Sequence, residues 1–416
     1  MKDTILLQRK SFKSNPIPSK AKTVLSRGRF NTGKIMHPPY GKAIQKYIFI
    51  IFCYFSASIA ADDDLQQSYT FDEETWIQPF SEEGFTWGGN SGVHVESKDR
   101  IFFLQRGETK LPQPIPPSYT DFPASMGIPD WNVLLGRGRV WQNCIYITNS
   151  QGDIIDIWDH WDHLFQGTNG PGPHRIRINP YDEDKKVWVV DETGHIIYVF
   201  SNDGKELLLT IGEKNIPGND RYHLNLPQDV AFLPNGKYLI ADGIGNKRII
   251  IRNKDHSYHS EFGEEGNEPH QYGSVHSLAF GPNEMLYVVD RINKDMKIYH
   301  QIAEVNSSNY PNYQYIETWS DLGVILDVIV NDQSLWVTES NRNPPRLKQY
   351  DFDGNFLQQI ELPTSGSNFW IEMHSISVDE SGNLYATDNQ AGRPRKLSPA
   401  MNADIDKLVK MPYRIE

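Results

Sequence analysis

From Ser91 onward, apolar and polar residues alternate in short runs separated by turns rich in Pro, Asn, Asp and Gly. Alternation of period two predicts strands with one buried face, and the turns between them predict antiparallel pairing. One unit recurs: an apolar strand, a turn, then a second strand closing on an acid. Its clearest copy is LPQDVAFLPNGKYLIADGIGNKRIIIRN from Leu226. Close copies are GPHRIRINPYDEDKKVWVVDETGHIIYVF from Gly172, SVHSLAFGPNEMLYVVDRINKDMKIY from Ser274 and EMHSISVDESGNLYATDNQAGRPRKL from Glu372. Weaker copies are SGVHVESKDRIFFLQRGE from Ser91 and VILDVIVNDQSLWVTESNRNPPRLKQYDFDG from Val324.

A marker near the start of each unit, at Ser91, His174, Gln228, His276, Leu326 and His374, recurs about every 50 residues after the first interval. Outer runs such as RIIIRN and EFG extend each unit to four strands. One such sheet cannot bury both faces by itself, whereas six packed radially can, leaving only short edges. The expected fold is therefore all-β, a six-bladed β-propeller over residues 62–416. The long first interval holds a proline-rich insertion, LPQPIPPSYTDFPASMGIPDW, expected as a surface loop near the channel mouth. The segment from Asn132 is expected to return and complete the first blade.

Histidine occupies the marker in the second, fourth and sixth units only. In a ring of six these positions lie about 120° apart, so His174, His276 and His374 are expected to converge on the axis at one level. Three neutral imidazoles with an open fourth position suit zinc. The bland alternative is a position that tolerates polar residues, as Gln228 does.

A second recurring position closes the following strand, at Gln105-Arg106, Asp191-Glu192, Asp242-Gly243, Asp290-Arg291, Glu339-Ser340 and Asp388-Asn389. Its acids are expected to cap turns. Arg106 and Arg291 follow it at the channel border, where a guanidinium can hold a substrate carboxylate through paired hydrogen bonds. The WDHWDH run at 158–163 has metal-capable side chains, but its tight spacing predicts a surface turn. Neither a phosphate-binding glycine loop nor a serine elbow occurs.

Charge divides the 416 residues unevenly. The first 46 carry roughly +10 and the chain from Ala61 roughly −22. So acidic a body repels nucleic acid and anionic membrane surfaces. Between the two lies YIFIIFCYFSASIA, residues 47–60, an uncharged apolar run ending in small residues, with Asp62 to Asp64 directly after it. It reads as a signal peptide cleaved near Ala60 or Ala61, so residues 1–61 form an N-terminal extension and signal, and the product is exported, periplasmic or secreted, with no stable membrane span. A start at Met36 would give the leader an ordinary length. Cys53 lies inside this run, leaving Cys144 as the one thiol of the processed chain and no internal disulfide, which suits a bacterial periplasm.

The motifs QRG, PHRI with VWVVDETGHIIYVF, LPQDV with IADGIGNKRI, VHSLAF with YVVDR, and MHSISV with LYATD resemble those of peptidyl-α-hydroxyglycine α-amidating lyases. These are NHL-repeat propellers that complete C-terminal peptide amidation by splitting a carbinolamide into a peptide amide and glyoxylate. The resemblance spans about Gly92 to Leu397, and generic NHL domains lack the histidine triplet. It implies a zinc ion on His174, His276 and His374, substrate contacts from Arg106 and Arg291, and a small carboxylate-bearing or peptide substrate.

Three departures stand out. Ile244 replaces the family's proposed catalytic tyrosine. Glu372, beside Met373, replaces a methionine. Ser375 replaces an acid associated with a structural calcium, so the resemblance does not carry that calcium over. The base is left open among Glu372, Tyr222 and a metal-activated hydroxide. Two other functions compete. One is a non-catalytic NHL propeller that binds a protein, glycan or peptide. The other is a metal-dependent hydrolase of lactonase-like type, against which a histidine-only cage argues, since such sites hold calcium through Glu, Asn and Asp.

Overall fold

The computed structural model describes residues 68–71, 76–77, 85–110, 139–167, 170–302, 313–340, 343–365 and 369–415. Contacts divide the chain into Met1–Tyr54 and Phe55–Glu416, and every described residue belongs to the second unit. The N-terminal extension with Met36, the run at 47–60 and the insertion at 111–131 lie outside the described residues.

The all-β expectation holds. Among the described residues the strands form six four-stranded antiparallel sheets, with two smaller sheets beside them. The first strands of the six are Asn90–Ser97, Pro173–Ile178, Asp229–Phe232, Val275–Gly281, Val324–Val330 and Ser375–Val378. Each packs against the first strand of the sheet before and after it, and Ser375–Val378 returns to Asn90–Ser97, so the order closes on itself. Apolar cores lie between neighbouring sheets. In one, Phe102, Leu104, Ile145 and Ile147 face Ile176, Val187 and Val189, all fully buried. Each such side chain contributes about 1.5–3 kcal/mol on leaving water, which explains why neighbouring sheets stay in contact.

Two connections depend on distant sequence. Arg100–Gln105 pairs with Ile145–Thr148 across the proline-rich insertion, as the sequence predicts. The last sheet takes its outer strand from the opposite end of the described chain: Tyr69–Phe71 pairs with Pro394–Pro399, placing Tyr69 opposite Pro399 and Phe71 opposite Leu397. The repeat gave no sign of this strand, because it stands apart from the unit that it completes.

The recurring aspartates act as turn caps, whereas Glu339 pairs with Lys348 at 2.8 Å. Asp191 Oδ1 accepts from the Gly194 N–H at 3.0 Å, Asp242 Oδ1 from Asn225 at 2.7 Å, and Asp290 Oδ1 from Ser274 at 2.9 Å. The WDHWDH run is also structural. It forms a 3-10 helix at Asp159–Leu164 whose buried Asp162 accepts from the backbone N–H groups of Asn143 and Cys144 at 2.6 and 2.9 Å.

Candidate metal centre

The marker residues coincide with irregularities in the first strands. Pro173 pairs with Asp191 and Arg175 with Val190, leaving His174 as an extra residue. His276 is likewise left over between Val275 and Ser277, and Ser91 between Asn90 and Gly92. At the sixth sheet the His374 N–H donates to the Thr387 carbonyl at 2.8 Å while Ser375 takes the ladder position opposite Thr387. A bulge breaks the in–out alternation of a strand and re-aims side chains. The marker residue and its successor therefore both meet their counterparts from the other sheets, in two successive layers.

The upper layer brings His174, His276 and His374 together. One ligand-capable atom from each lies within 4.8 Å of the others, and all three are buried. Ring centroids stand 4.8, 4.8 and 5.4 Å apart. Each Nδ1 meets a backbone carbonyl of the next sheet round the ring: His174 that of Gln228 at 2.8 Å, His276 that of Leu326 at 2.6 Å, and His374 that of Ser91 at 2.7 Å. A carbonyl only accepts, so Nδ1 carries the proton and Nε2 keeps its lone pair. The alternate markers thus support the histidines through their main chain, which is why Ser, Gln and Leu all serve there. Burial, together with neighbouring cationic and imidazole groups, holds all three histidines well below their usual 6.5, so they remain neutral.

The fit to a metal ion can be read from a single atom. His276 Nε2 is buried with no hydrogen-bond partner, a situation that costs about 1–3 kcal/mol when nothing occupies the lone pair. Three neutral imidazoles with lone pairs directed to one place suit a borderline-soft divalent ion such as zinc.

Beside them is a cavity of about 230 Å³ lined by Arg106, Pro171, His174, Glu192, Arg291, Glu372, His374 and Asn389. The two arginines and the glutamate singled out from sequence therefore share one space with the histidines. Arg106 is buried and paired with Glu192 at 3.4 Å. The Arg291 guanidinium has no hydrogen-bond partner among the described residues, which leaves it available to an incoming anion. Burial raises the Glu372 carboxyl to about 7, with Asp388 adding to the shift and Arg291 and Arg106 opposing it. Glu192 was not anticipated, although it follows the strand-closing position as Arg106 and Arg291 do.

The structure removes Tyr222 from consideration as a base. It is 63% exposed and lines a different depression with His223 and Arg252. Ile244 does not line the cavity either.

The lower layer holds the residues that follow the markers. Arg175 is fully buried; its Nη1 lies 2.8 Å from Asp327 and its Nε 3.7 Å from Asp229. Its guanidinium also donates to Ser375 Oγ at 2.9 Å and to the Leu326 carbonyl at 3.2 Å. Ser277 Oγ bridges Asp229 and Asp327 at 2.9 Å each. These residues do not fit a calcium ion beside Ser375, because a fixed guanidinium already takes the oxygen donors that such an ion would use. Millimolar calcium is accordingly expected to leave the melting temperature unchanged, and differential scanning calorimetry with and without the ion checks this.

A closed ring of four-stranded sheets around a histidine triangle defines the class, a propeller-type all-β protein with a metal-capable centre. Its relatives by sequence act in peptide amidation. Peptidyl-glycine alpha-amidating monooxygenase A of Xenopus laevis is 26% identical over 239 residues, covering 55% of this chain and 24% of the relative. A probable peptidyl-alpha-hydroxyglycine alpha-amidating lyase of Caenorhabditis elegans is 24% identical over 224 residues, covering 53% and 62%. Peptidyl-alpha-hydroxyglycine alpha-amidating lyase 1 of Drosophila melanogaster is 37% identical over 81 residues, covering 19% and 14%. The chain thus spans about a quarter of the frog enzyme and under two thirds of the nematode one. No protein-family model matches it. Among solved structures, a streptogramin B lyase aligns at a TM-score of 0.47 with 11% identity, covering 80% of this chain and 99% of its own. A putative gluconolactonase aligns at 0.49 with 14% identity, covering 80% and 97%.

Proposed function

We propose that the protein is a six-bladed NHL-type propeller that works as a zinc-dependent lyase, splitting an N-acyl-α-hydroxyglycine or a close relative into an amide and glyoxylate. The observation that carries this reading is the set of three buried histidines with each Nδ1 hydrogen-bonded to a carbonyl, beside a cavity that holds a guanidinium and a carboxyl group. The sequence relatives point to the same chemistry.

His174, His276 and His374 would hold the ion. When bound, zinc supplies Lewis acidity that lowers the pKa of a hydroxyl group. Arg291 binds the substrate carboxylate, and Arg106, partly neutralised by Glu192, flanks it. Glu372 takes the proton from the α-hydroxyl as the C–N bond breaks. The carbinol carbon becomes the aldehyde of glyoxylate, and the proton returns to the amide nitrogen that leaves. A carboxyl group poised near neutrality suits both halves of that transfer.

The test is to incubate the zinc-loaded protein with N-benzoyl-α-hydroxyglycine and assay benzamide and glyoxylate. Equal release of the two is expected, abolished by a chelator and restored by zinc. Absence of release from zinc-loaded protein would remove the reaction, and stoichiometric metal without turnover would favour the non-catalytic binding propeller to which Ile244 points. Within the lyase reading, Glu372→Gln is expected to lower kcat by about 100-fold or more with little change in KM. Arg291→Ala is expected to act chiefly on KM, and steady-state kinetics separate the two.

The uncharged apolar run at 47–60, ending in small residues, supports export, to a periplasm or the cell exterior, as the setting of this reaction. Cell fractionation with N-terminal sequencing of the processed protein tests it. No helix among the described residues is long and apolar enough to cross a membrane.

A further inference from the structure

We infer that the end of the ring opposite the histidines is a second ligand site, shaped for a small amphiphile with one carboxylate on an apolar body. A cavity of about 270 Å³ opens there and shares no lining residue with the cavity at the metal centre. Between them lies the ionic layer of Arg175, Asp229, Ser277, Asp327 and Ser375. The two ends are therefore separate compartments, and whatever occupies the lower one has its own recognition chemistry.

The walls come from the far halves of all six first strands, including Phe232, Leu278, Val330 and Val378. They are mostly apolar, as ligand cavities are, with a few polar groups that converge on one side. Arg177 forms the roof. Its Nε and Nη2 are bound to Asp229 at 3.0 Å each, and Nη2 also reaches Asp327 at 3.2 Å. Its Nη1 has no partner among the described residues, so two carboxylates fix the guanidinium in place while one N–H edge stays unused. The His94 ring beside it likewise has no hydrogen-bond partner among the described residues. Burial, with Arg177 and Arg414 adding to the effect, holds His94 at about 3, so it is a neutral donor or acceptor rather than a competing cation.

The charge balance favours an anion. Arg175 and Arg177 offset Asp229 and Asp327, and Arg100 offsets Glu96 at 2.8 Å. Lys185, 3.5 Å from Glu96, and the exposed Arg414 are then in excess. A lining with three cations, Arg177, Lys185 and Arg414, to one acid, Glu96, on a chain with net charge −12 is a local feature that bulk composition does not supply. The segment carrying Arg414 is held across the cavity by the Tyr413 N–H on the Val330 carbonyl at 2.7 Å and the Ile415 N–H on the Tyr181 hydroxyl at 2.8 Å. The main chain at Arg414 is thereby held at the rim, from which its guanidinium can reach a carboxylate head whose tail lies among the strand side chains.

Octanoate serves as the probe, in calorimetric titration of the full-length protein. One-to-one binding with a submillimolar Kd is expected, with octylammonium, which has the same tail and the opposite charge, binding at least about tenfold more weakly. Arg414→Ala, at an exposed position that leaves the fold intact, should weaken octanoate about tenfold, the value of one charge-assisted hydrogen bond. Ala279→Trp should fill the cavity and abolish binding. Arg291→Ala, at the opposite end, should leave it in place. The inference is overturned by absence of octanoate binding, by equal binding of octylammonium, or by binding that Arg291→Ala removes and Arg414→Ala does not.

Discussion

His276→Ala is expected to leave the purified protein without stoichiometric metal and to reduce zinc affinity well beyond 100-fold. Loss of a group that merely supports a ligand already costs about 10–100-fold, and His276 is itself one of three donors. Elemental analysis and competitive zinc titration measure the effect. Any lyase activity should fall with it and should not return at micromolar zinc. Ser91→Ala is the matching control. Ser91 meets His374 through its backbone carbonyl, which alanine retains, and its Oγ donates to the Pro173 carbonyl at 2.8 Å and to no ring nitrogen, so zinc affinity should change by no more than a few-fold. Should His276→Ala bind zinc as tightly as the parent, the triangle is not the metal site. Loss of binding in Ser91→Ala would instead mean that the side chains at the alternate markers matter.

Arg175→Met should destabilise the fold by about 3–5 kcal/mol, the cost of removing one partner from a buried ion pair. Methionine replaces much of the volume but leaves Arg177 as the remaining arginine on Asp327 and Asp229, removes a donor from Ser375 Oγ, and leaves the Leu326 carbonyl with His276 Nδ1. Denaturant titration reads the loss. The pH dependence should move as well. Burial by itself would raise the Asp327 carboxyl, but Arg175 and Arg177 reverse this and hold it at about 2. A depressed carboxyl stabilises the fold above its unfolded value near 3.9 and loses that contribution as pH falls toward 2. Without Arg175 the folded-state value rises, so acid unfolding should begin at a higher pH. An unchanged acid profile would show that Arg177 alone carries Asp327.

How far the site was legible depended on which residues obeyed the repeat. His174, His276 and His374 could be found because they share one register position and alternate between units, Arg106 and Arg291 because they follow the strand-closing position, and Glu372 because it departs from the methionine of the family that the chain resembles. Arg175 could not be read in the same way. Strict alternation puts the residue after a marker on the opposite face, and only the bulge turns both inward. Glu192 stood in view after Asp191, but nothing local says that its carboxylate meets Arg106, which lies 86 positions earlier. Tyr222 shows the reverse error, a chemically suitable side chain that the folded loop leaves in solvent.

The sequence by itself determined the strands, the repeating unit and the threefold choice of histidine, because period-two burial and turn chemistry are local properties that each unit expresses independently. Only the tertiary structure decided how the last sheet closes through Tyr69–Phe71, which carbonyls fix the histidine tautomers, and that Arg175 fills the layer beneath them. Those features join residues from different sheets across the ring. Their energies arise from distances and desolvation that exist only once the ring is closed.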